Sequence, residues 1–87
     1  MKTFFLTIST PDQAVFSGQA QRLDVRGTEG ALSIMAGHIP FATAVVEGEL
    51  AVVSETGEKK TAHSAGGILS VDTDKVTLLT ATFSFDE

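Results

Sequence analysis

Apolar and polar side chains alternate along most of the chain, and this period of two predicts β-strands. It places one set of side chains on a core face and the other set toward solvent. β-branched and aromatic residues, which strands favour, are frequent in the same runs. The alternating apolar positions are Phe4, Leu6, Ile8; Leu23, Val25; Leu32, Ile34; Leu50, Val52; Val76, Leu78; Phe83, Phe85.

Turn residues separate these runs about every 8–12 residues, which is typical of a β-sandwich or barrel. They are Pro11-Asp12, Gly18, Gly27 to Gly30, Gly37, Gly48, Glu55 to Gly57, Gly66-Gly67 and Asp72 to Asp74. No capped window shows helical spacing. We predict an all-β protein, a two-sheet β-sandwich of about 8–10 short strands. The predicted strands are 3–9, 14–17, 20–26, 31–35, 42–46, 49–54, 58–64, 67–72, 75–80 and 81–85.

Composition narrows the class of protein. A chain of 87 residues that is 43% apolar is expected to form a single domain over residues 1–87 with one modest core. The absence of cysteine excludes disulfides and thiolate metal sites. The net charge is -5, and only Lys59 and Lys60 are adjacent cations, so a surface for nucleic acid or anionic lipid is not expected. No apolar run reaches the roughly 18 residues of a membrane-spanning helix. We therefore expect membrane association only through a partner.

Residues able to do chemistry are few and lack the spacing of known motifs. His38 and His63, the only histidines, stand in no metal-binding pattern, and the ring of His38 is expected to be held by backbone groups or a partner. Gly27 to Gly30 has no phosphate-binding motif and predicts a tight hairpin with glycines at positive φ. Ser64 to Gly67 and Asp72 to Asp74 lack the nucleophile-elbow and calcium-loop patterns and predict turns. No catalytic residue, metal, cofactor or small-molecule substrate is expected.

Apolar residues also cluster on both parities of one predicted strand. They are Ile39, Phe41, Val45 and Val46. A strand that is apolar on both faces is buried on both sides. In a two-layer sandwich the outer side is then covered either by a partner protein or by a loop of the same chain, and both readings stay open.

The order Gly37-His38-x-Pro40-Phe41-x-Thr43, followed by Gly48-x-Leu50, resembles the signature of the epsilon subunit of F-type ATP synthases. The resemblance concerns the β-sandwich domain of that subunit and extends over essentially the whole chain. Further segments similar to the family, in the same order, are Phe4 to Pro11, Val15 to Gly18, Leu23 to Gly30, Gly66 to Val71 and Lys75 to Leu79.

The resemblance implies a non-catalytic rotor subunit at the foot of the central stalk, in the cytoplasm and peripheral to the inner face of the cell membrane. Such a subunit binds the gamma subunit and the membrane c-ring, and supports coupling of proton or sodium flow to ATP synthesis. The residues implied to face gamma are Gly37, His38, Pro40, Phe41 and Thr43. The residues implied to face the c-ring are Thr10, Glu29, Gly30 and Ala31.

Some features depart from the family pattern. Ala31 stands where many members have a polar or charged residue, Ala36 replaces a frequent proline, and Ser33 replaces a common glycine. Most members also continue into a two-helix C-terminal hairpin that inhibits the enzyme and in some binds ATP. Without that hairpin, neither ATP binding nor inhibition is expected. The alternative reading is a free-standing β-sandwich module that binds a protein or a ligand.

Overall fold

A computed structural model describes residues 2–37 and 39–86, and its regular elements over these residues are nine β-strands. They are β1 (Phe4–Ser9), β2 (Ala14–Gly27), β3 (Gly30–Met35), β4 (Phe41–Val45), β5 (Gly48–Ser54), β6 (Lys59–Ser64), β7 (Gly67–Val71), β8 (Lys75–Thr80) and β9 (Phe83–Phe85). The predicted all-β class is confirmed. In the described part of the chain, no helix has the length and apolar character needed to span a membrane.

Strand β2 differs from the sequence prediction, because the predicted strands 14–17 and 20–26 are one strand of 14 residues. Gly18 was predicted as a turn residue, but it pairs with Leu6 inside the β1–β2 ladder. Its φ is not in the positive range that turns require of glycine. A glycine within a ladder continues the strand when both of its neighbours are paired, and Ser17 and Gln19 pair with β1 as well.

The long strand belongs to both layers of a sandwich. Its first part, up to Ala20, pairs with β1, and its second part pairs with β3 and β5. Ala20 is the pivot, since it pairs with Phe4 of β1 and with Ser54 of β5, and the register with β5 shifts between Ala20 and Arg22. A shift of this kind bends a strand and increases its twist, which allows β2 to change layers.

We name the two layers after their edge strands. The β3 layer runs β3, residues 20–27 of β2, β5, β6 and β9, with antiparallel pairing throughout. The β4 layer runs residues 14–20 of β2, β1, β8, β7 and β4. Strands β1 and β8 are parallel. The layers meet again where Gly27 of β2 pairs with Val45 of β4.

The core fills the space between the layers and follows the predicted alternation. Buried residues alternate with exposed or half-buried ones along β1, β7 and β8, and apolar side chains of both layers form one cluster. The cluster contains Phe4, Leu6, Ile8, Ala20, Leu23, Val25, Ile34, Val45, Leu50, Val52, Ala62, Leu69, Val71, Val76 and Leu78. Within the described residues, no buried side-chain nitrogen or oxygen lacks a hydrogen-bond partner. The burial and the satisfied polar groups together stabilise the fold.

The connection between β6 and β7 depends on two glycines. Gly66 has a φ of 85°, and a Cβ placed there would lie 2.6 Å from the carbonyl oxygen of Val45. A Cβ at Gly67 would overlap the carbonyl oxygen of Leu79 on β8. The hydroxyl of Thr80 donates to the Gly66 carbonyl at 2.6 Å and holds the same corner from β8. Only glycine permits this approach of three backbone segments.

Strand β9 is short, but its end is fastened to β6 by several groups. The Asp86 amide donates to the Thr61 carbonyl at 2.9 Å, and the Thr61 hydroxyl donates to Asp86 Oδ2 at 2.8 Å. His63 Nδ1 lies 3.0 Å from Asp86 Oδ1. The hydrogen bond from Thr61, then the bond from His63, hold the pKa of Asp86 below its ordinary value. Phe83 and Phe85 pack edge to face, with ring centroids 4.9 Å apart, and cover this end of the core.

We predict that Gly67→Ala destabilises the protein by about 2 kcal/mol or more, because the added methyl group collides with backbone that cannot move independently. Gly18→Ala is the matched control. Its Cβ would meet only Phe16 Cζ at 3.8 Å, and removing glycine flexibility from the unfolded chain is expected to stabilise by about 0.4–1 kcal/mol. Chemical denaturation of both variants measures the difference. Equal stability of the two variants would contradict the described β6–β7 corner.

We predict that Asp86→Asn lowers the melting temperature at neutral pH and that this deficit disappears in acid. The folded-state pKa of Asp86 lies below its unfolded value of about 3.9, so its stabilising effect is present above that pH and is lost as the pH falls through the folded value. Thermal melts of wild type, Asp86→Asn and the exposed control Asp12→Asn, recorded from pH 7 to pH 2, test this. A deficit that persists unchanged at pH 2 would show that the carboxylate charge is not its cause.

Candidate partner-binding surface

The residues implied to face gamma lie on the corner between β3 and β4 and on β4 itself. Gly37 is exposed with a φ of 85°, Pro40 is exposed, and His38 lies outside the described residues. Phe41 and Thr43 pair with the buried residues Val71 and Leu69 of β7, so both side chains are on the core side of β4. Phe41 begins the strand and is still exposed, whereas Thr43 is half-buried.

The residues implied to face the c-ring fall into two places. Glu29, Gly30 and Ala31 are exposed on the tight β2–β3 hairpin. Gly30 has the predicted positive φ of 126°, whereas the same prediction for Gly27 is wrong, since Gly27 ends β2 in extended pairing with Gly30. Thr10 follows β1, and its amide donates to the Gln13 carbonyl at 2.9 Å. The hairpin lies beside the end of β4, and strands β8 and β7 separate β4 from β1. At the usual strand spacing, Thr10 is therefore about 14 Å from the end of β4 that adjoins the hairpin, on the same end of the β4 layer.

Thr43 links the two implied groups. Together with residues of the β2–β3 hairpin and Leu32, it lines a cavity of about 100 Å³. Phe41 and the corner lie at the other end of β4, four residues from Val45, which is about 13 Å along a strand. The structure thus brings Thr43 and the hairpin together and leaves Gly37, Pro40 and Phe41 as a separate group.

The prediction that the strand at 42–46, with its neighbour Phe41, is apolar on both faces is wrong. Val45 is in the core at 6% exposure, and Val46 follows the end of the strand, where its amide donates to the Arg26 carbonyl at 2.9 Å. The outward positions of β4 are the small residues Ala42 and Ala44. The two adjacent valines therefore do not lie on opposite faces of one sheet, since the strand ends between them. Ile39, before the strand, is 81% exposed.

The outer side of the β4 layer carries two rows of residues without a single charge, which we name the uncharged face. Strand registers define both rows. The first row is Ala44, Ile68, Leu79 and Ser9. The second row is Ala42, Ser70, Thr77, Thr7 and Ser17. Ile68 and Leu79 are paired neighbours at the centre, and each is 53% exposed. Exposed apolar residues that cluster in this way are typical of protein interfaces.

The outer side of the β3 layer has the opposite character, because charged side chains are frequent there. Arg22 and Asp24 form an ion pair at 3.1 Å, and the Ser33 hydroxyl donates to Asp24 at 2.6 Å. Further outward groups on β2, β5 and β6 are Arg26, Glu49, Lys59 and His63. The two outer surfaces of one small sandwich therefore differ in polarity, and the β3 layer has the surface that suits water.

Three possible metal ligands meet on the β3 layer, although their spacing in sequence predicted no site. One atom each of Glu49, His63 and Asp86 lies within 4.8 Å of the others. All three side chains are exposed, and His63 is already bonded to Asp86. Ser84 pairs with His63 across the strands, but its hydroxyl is directed at the Phe85 carbonyl, 3.5 Å away. The cluster is thus an exposed polar network that fastens β9, and the Ser84 hydroxyl is directed away from it.

A cleft of about 600 Å³ adjoins the uncharged face at the Thr10 end. Its lining is uncharged and consists of Ser9, Thr10, Pro11, Ala65, Gly66, Gly67, Leu79, Thr80 and Ala81. Leu79 belongs to both the cleft and the uncharged face. The volume is in the range of small-molecule sites, but such sites also need convergent polar groups. The Thr80 hydroxyl already donates to the Gly66 carbonyl, so the cleft reads as an extension of the uncharged face.

The uncharged face was missed by sequence reasoning, which assigned the outward positions of the strands other than 42–46 to solvent. Its signal was present in part, because the outward positions of the predicted strands 3–9 and 42–46 lack charge, and those of 67–72 and 75–80 lack it except at Asp72 and Lys75. The uncharged face can be recognised only from the strand registers, because they show that these positions are neighbours. The Glu49–His63–Asp86 cluster had no such signal, since it depends on the pairing of β6 with β9.

Comparisons with known proteins agree with this architecture. A sequence model of the family described as ATP synthase, Delta/Epsilon chain, beta-sandwich domain matches residues 3–85. A chain of the Euglena gracilis mitochondrial ATP synthase, in a structure of OSCP/F1/c-ring in rotational state 1, is similar with a TM-score of 0.90 and 25% identity. The match covers 95% of this chain and 53% of that chain.

A second similar chain comes from the structure of the Tetrahymena thermophila mitochondrial ATP synthase central stalk and c-ring. It has a TM-score of 0.78 and 19% identity, which shows a shared fold, and the match covers 94% of this chain and 66% of that chain. The present chain thus spans about half to two thirds of the length of these relatives. The chain belongs to the family of ATP synthase delta/epsilon chains, as its β-sandwich domain.

Proposed function

We propose that this protein is a non-catalytic rotor subunit of the central stalk of a proton- or sodium-translocating F-type ATP synthase, where it links the gamma subunit to the c-ring. The family match over residues 3–85 carries the proposal. The Euglena chain, which has the same fold over 95% of the present chain, comes from a synthase structure that includes the c-ring. In this role the protein transmits torque and holds its partners in position. This task requires a rigid fold with binding surfaces.

The uncharged face supports a contact with gamma. Burying the half-exposed Ile68 and Leu79 against a partner gains about 25 cal/mol for each Å² of apolar surface. No charge in the two rows has to be desolvated, which would otherwise offset the gain. The neighbouring corner, with Gly37, His38, Pro40 and Phe41, is proposed as the second part of this contact, and Thr43 as its link to the hairpin.

The β2–β3 hairpin supports a contact with the c-ring. Glu29 lies in the two-residue turn of the hairpin, with Gly30 and Ala31 at the start of β3, and it offers a carboxylate to polar groups of the ring loops. Thr10 lies at the same end of the β4 layer. This arrangement gives one end of the protein two separate points of attachment. In such an assembly the protein is peripheral to the membrane, and we propose that it lies on the cytoplasmic side.

The free-standing binding module is the rival reading, and the uncharged cleft is the described feature that bears on it most directly. Its hydroxyl-bearing lining offers little to orient a small ligand, because Thr10 and Thr80 already bond to backbone carbonyls. The contrast between an uncharged and a charged outer face is better explained by a large, flat protein partner.

We predict that Ile68→Lys weakens binding of purified gamma about tenfold or more, because it places a charge at the centre of the contact. Ile68 is half-exposed, so the variant is expected to fold. Ser84→Lys adds the same charge to the outer side of the β3 layer and should bind like wild type. Titration of each protein with gamma by calorimetry gives the affinities.

Two results would count against this account. If gamma does not bind the wild-type protein, the stalk function is wrong. If gamma binds Ile68→Lys as tightly as wild type, the contact lies elsewhere and the uncharged face is not its centre. Circular dichroism of each variant is the control for folding.

A further inference from the structure

The two edges of the β3 layer are unequal. At one edge, β9 has only three residues, and Asp86 fastens its end with a charged side chain. At the other edge, β3 has six residues, Gly30 to Met35, with no charge and no proline. Strand β3 pairs with β2 on one side, and no described strand pairs with its other side. Proteins commonly protect such edges with charges, prolines, bulges or short strands, and β3 has none of these devices.

The free hydrogen-bonding groups of β3 follow from its hairpin. Gly27 and Gly30 flank the two-residue turn, so their pair is hydrogen-bonded, and the pairs made by Leu32 and Ile34 repeat this arrangement. The intervening residues Ala31, Ser33 and Met35 therefore direct their amides and carbonyls away from β2. Consistent with this alternation, the Arg26 carbonyl, opposite Ala31, accepts from Val46 and not from β3.

The geometry points to β-strand addition: β3 accepts an extended segment of a partner protein, which continues the β3 layer through backbone hydrogen bonds to Ala31, Ser33 and Met35. The segment has a definite chemistry. Its side chains on the core side are apolar, because they extend the row of the half-buried Leu32 and the buried Ile34. Its alternate side chains are polar, because they lie beside the exposed Ala31, Ser33 and Met35.

The occupant is a strand of the stalk partner, which makes this inference rest on the proposed function. A second copy of the chain fits less well. Pairing two β3 edges would join only six residues from each copy, whereas a stable interface takes about 20–30 residues from each partner. Each copy also carries a net charge of -5, so two copies repel each other. The stalk partner is proposed to cover the corner between β3 and β4 as well as β4 itself. Because β3 leads directly into both, the interface with that partner extends beyond the edge of β3.

Hydrogen exchange of the complete chain, alone and with purified gamma, provides the test. In the free protein the amides of Ala31, Ser33 and Met35 should exchange fast, and those of Leu32 and Ile34 slowly. In the complex the first three should slow by about tenfold or more, which leaves an alternating pattern of change along β3. A contact made only by side chains would protect neighbouring amides without this alternation.

Two variants at one position add an affinity test. Ser33→Pro removes the outward amide, and Ser33→Ala keeps it, while both lose the hydrogen bond to Asp24. We expect Ser33→Pro to bind gamma about tenfold more weakly than Ser33→Ala. If Ser33→Pro does not fold, the exchange pattern of the wild-type protein decides alone.

The outcomes separate this inference from the function on which it rests. Binding of gamma without alternating protection would overturn strand addition and leave the stalk function standing. Failure of gamma to bind at all would overturn both. Self-association of the chain through β3, seen as alternating protection at high concentration without gamma, would replace the partner strand with a second copy and overturn the proposed occupant.

Discussion

Strand β2 is the constraint on which the rest of the structure depends. Its 14 residues run without a break from one layer to the other, and four other strands pair with it. Because both layers share this strand, neither can slide relative to the other without breaking a ladder. The buried Ala20 at the change of layer, and Gly27 at the point where the layers meet again, fix the angle between the sheets. The positions of the corner, the hairpin and the uncharged face follow from this frame.

Local sequence patterns predicted most of the strands, since alternation and turn residues are short-range features. The alternation of Phe4, Leu6 and Ile8 on β1 matches burial residue by residue. Gly18 was misleading because a glycine has the same local signal in a turn and in a ladder, and only the pairing with Leu6 decides between them. Val45 and Val46 were misleading for a related reason, as the end of β4 is set by backbone contacts with β2.

The candidate surfaces could be predicted only in part. The corner with Gly37 and Pro40 and the hairpin with Glu29 stood out through the family resemblance, and the fold places both on exposed turns. The uncharged face depends on which strands are neighbours. The pairing of Ile68 with Leu79 follows from a hairpin, but the contact of β8 with β1 joins residues about seventy positions apart in the chain. Such distant pairings are invisible to periodicity, which describes each strand alone.

The central claim is that this sandwich is held between the gamma subunit and the c-ring with its uncharged face and its hairpin both engaged. Electron cryomicroscopy of the synthase purified from its native source, through a tag on another subunit, tests this most directly. The account predicts that density for residues 3–85 lies at the foot of the stalk, with Ile68 and Leu79 buried against gamma and Glu29 directed at the ring. A synthase that contains no density for this chain, or that holds it with the uncharged face open to solvent, would contradict it.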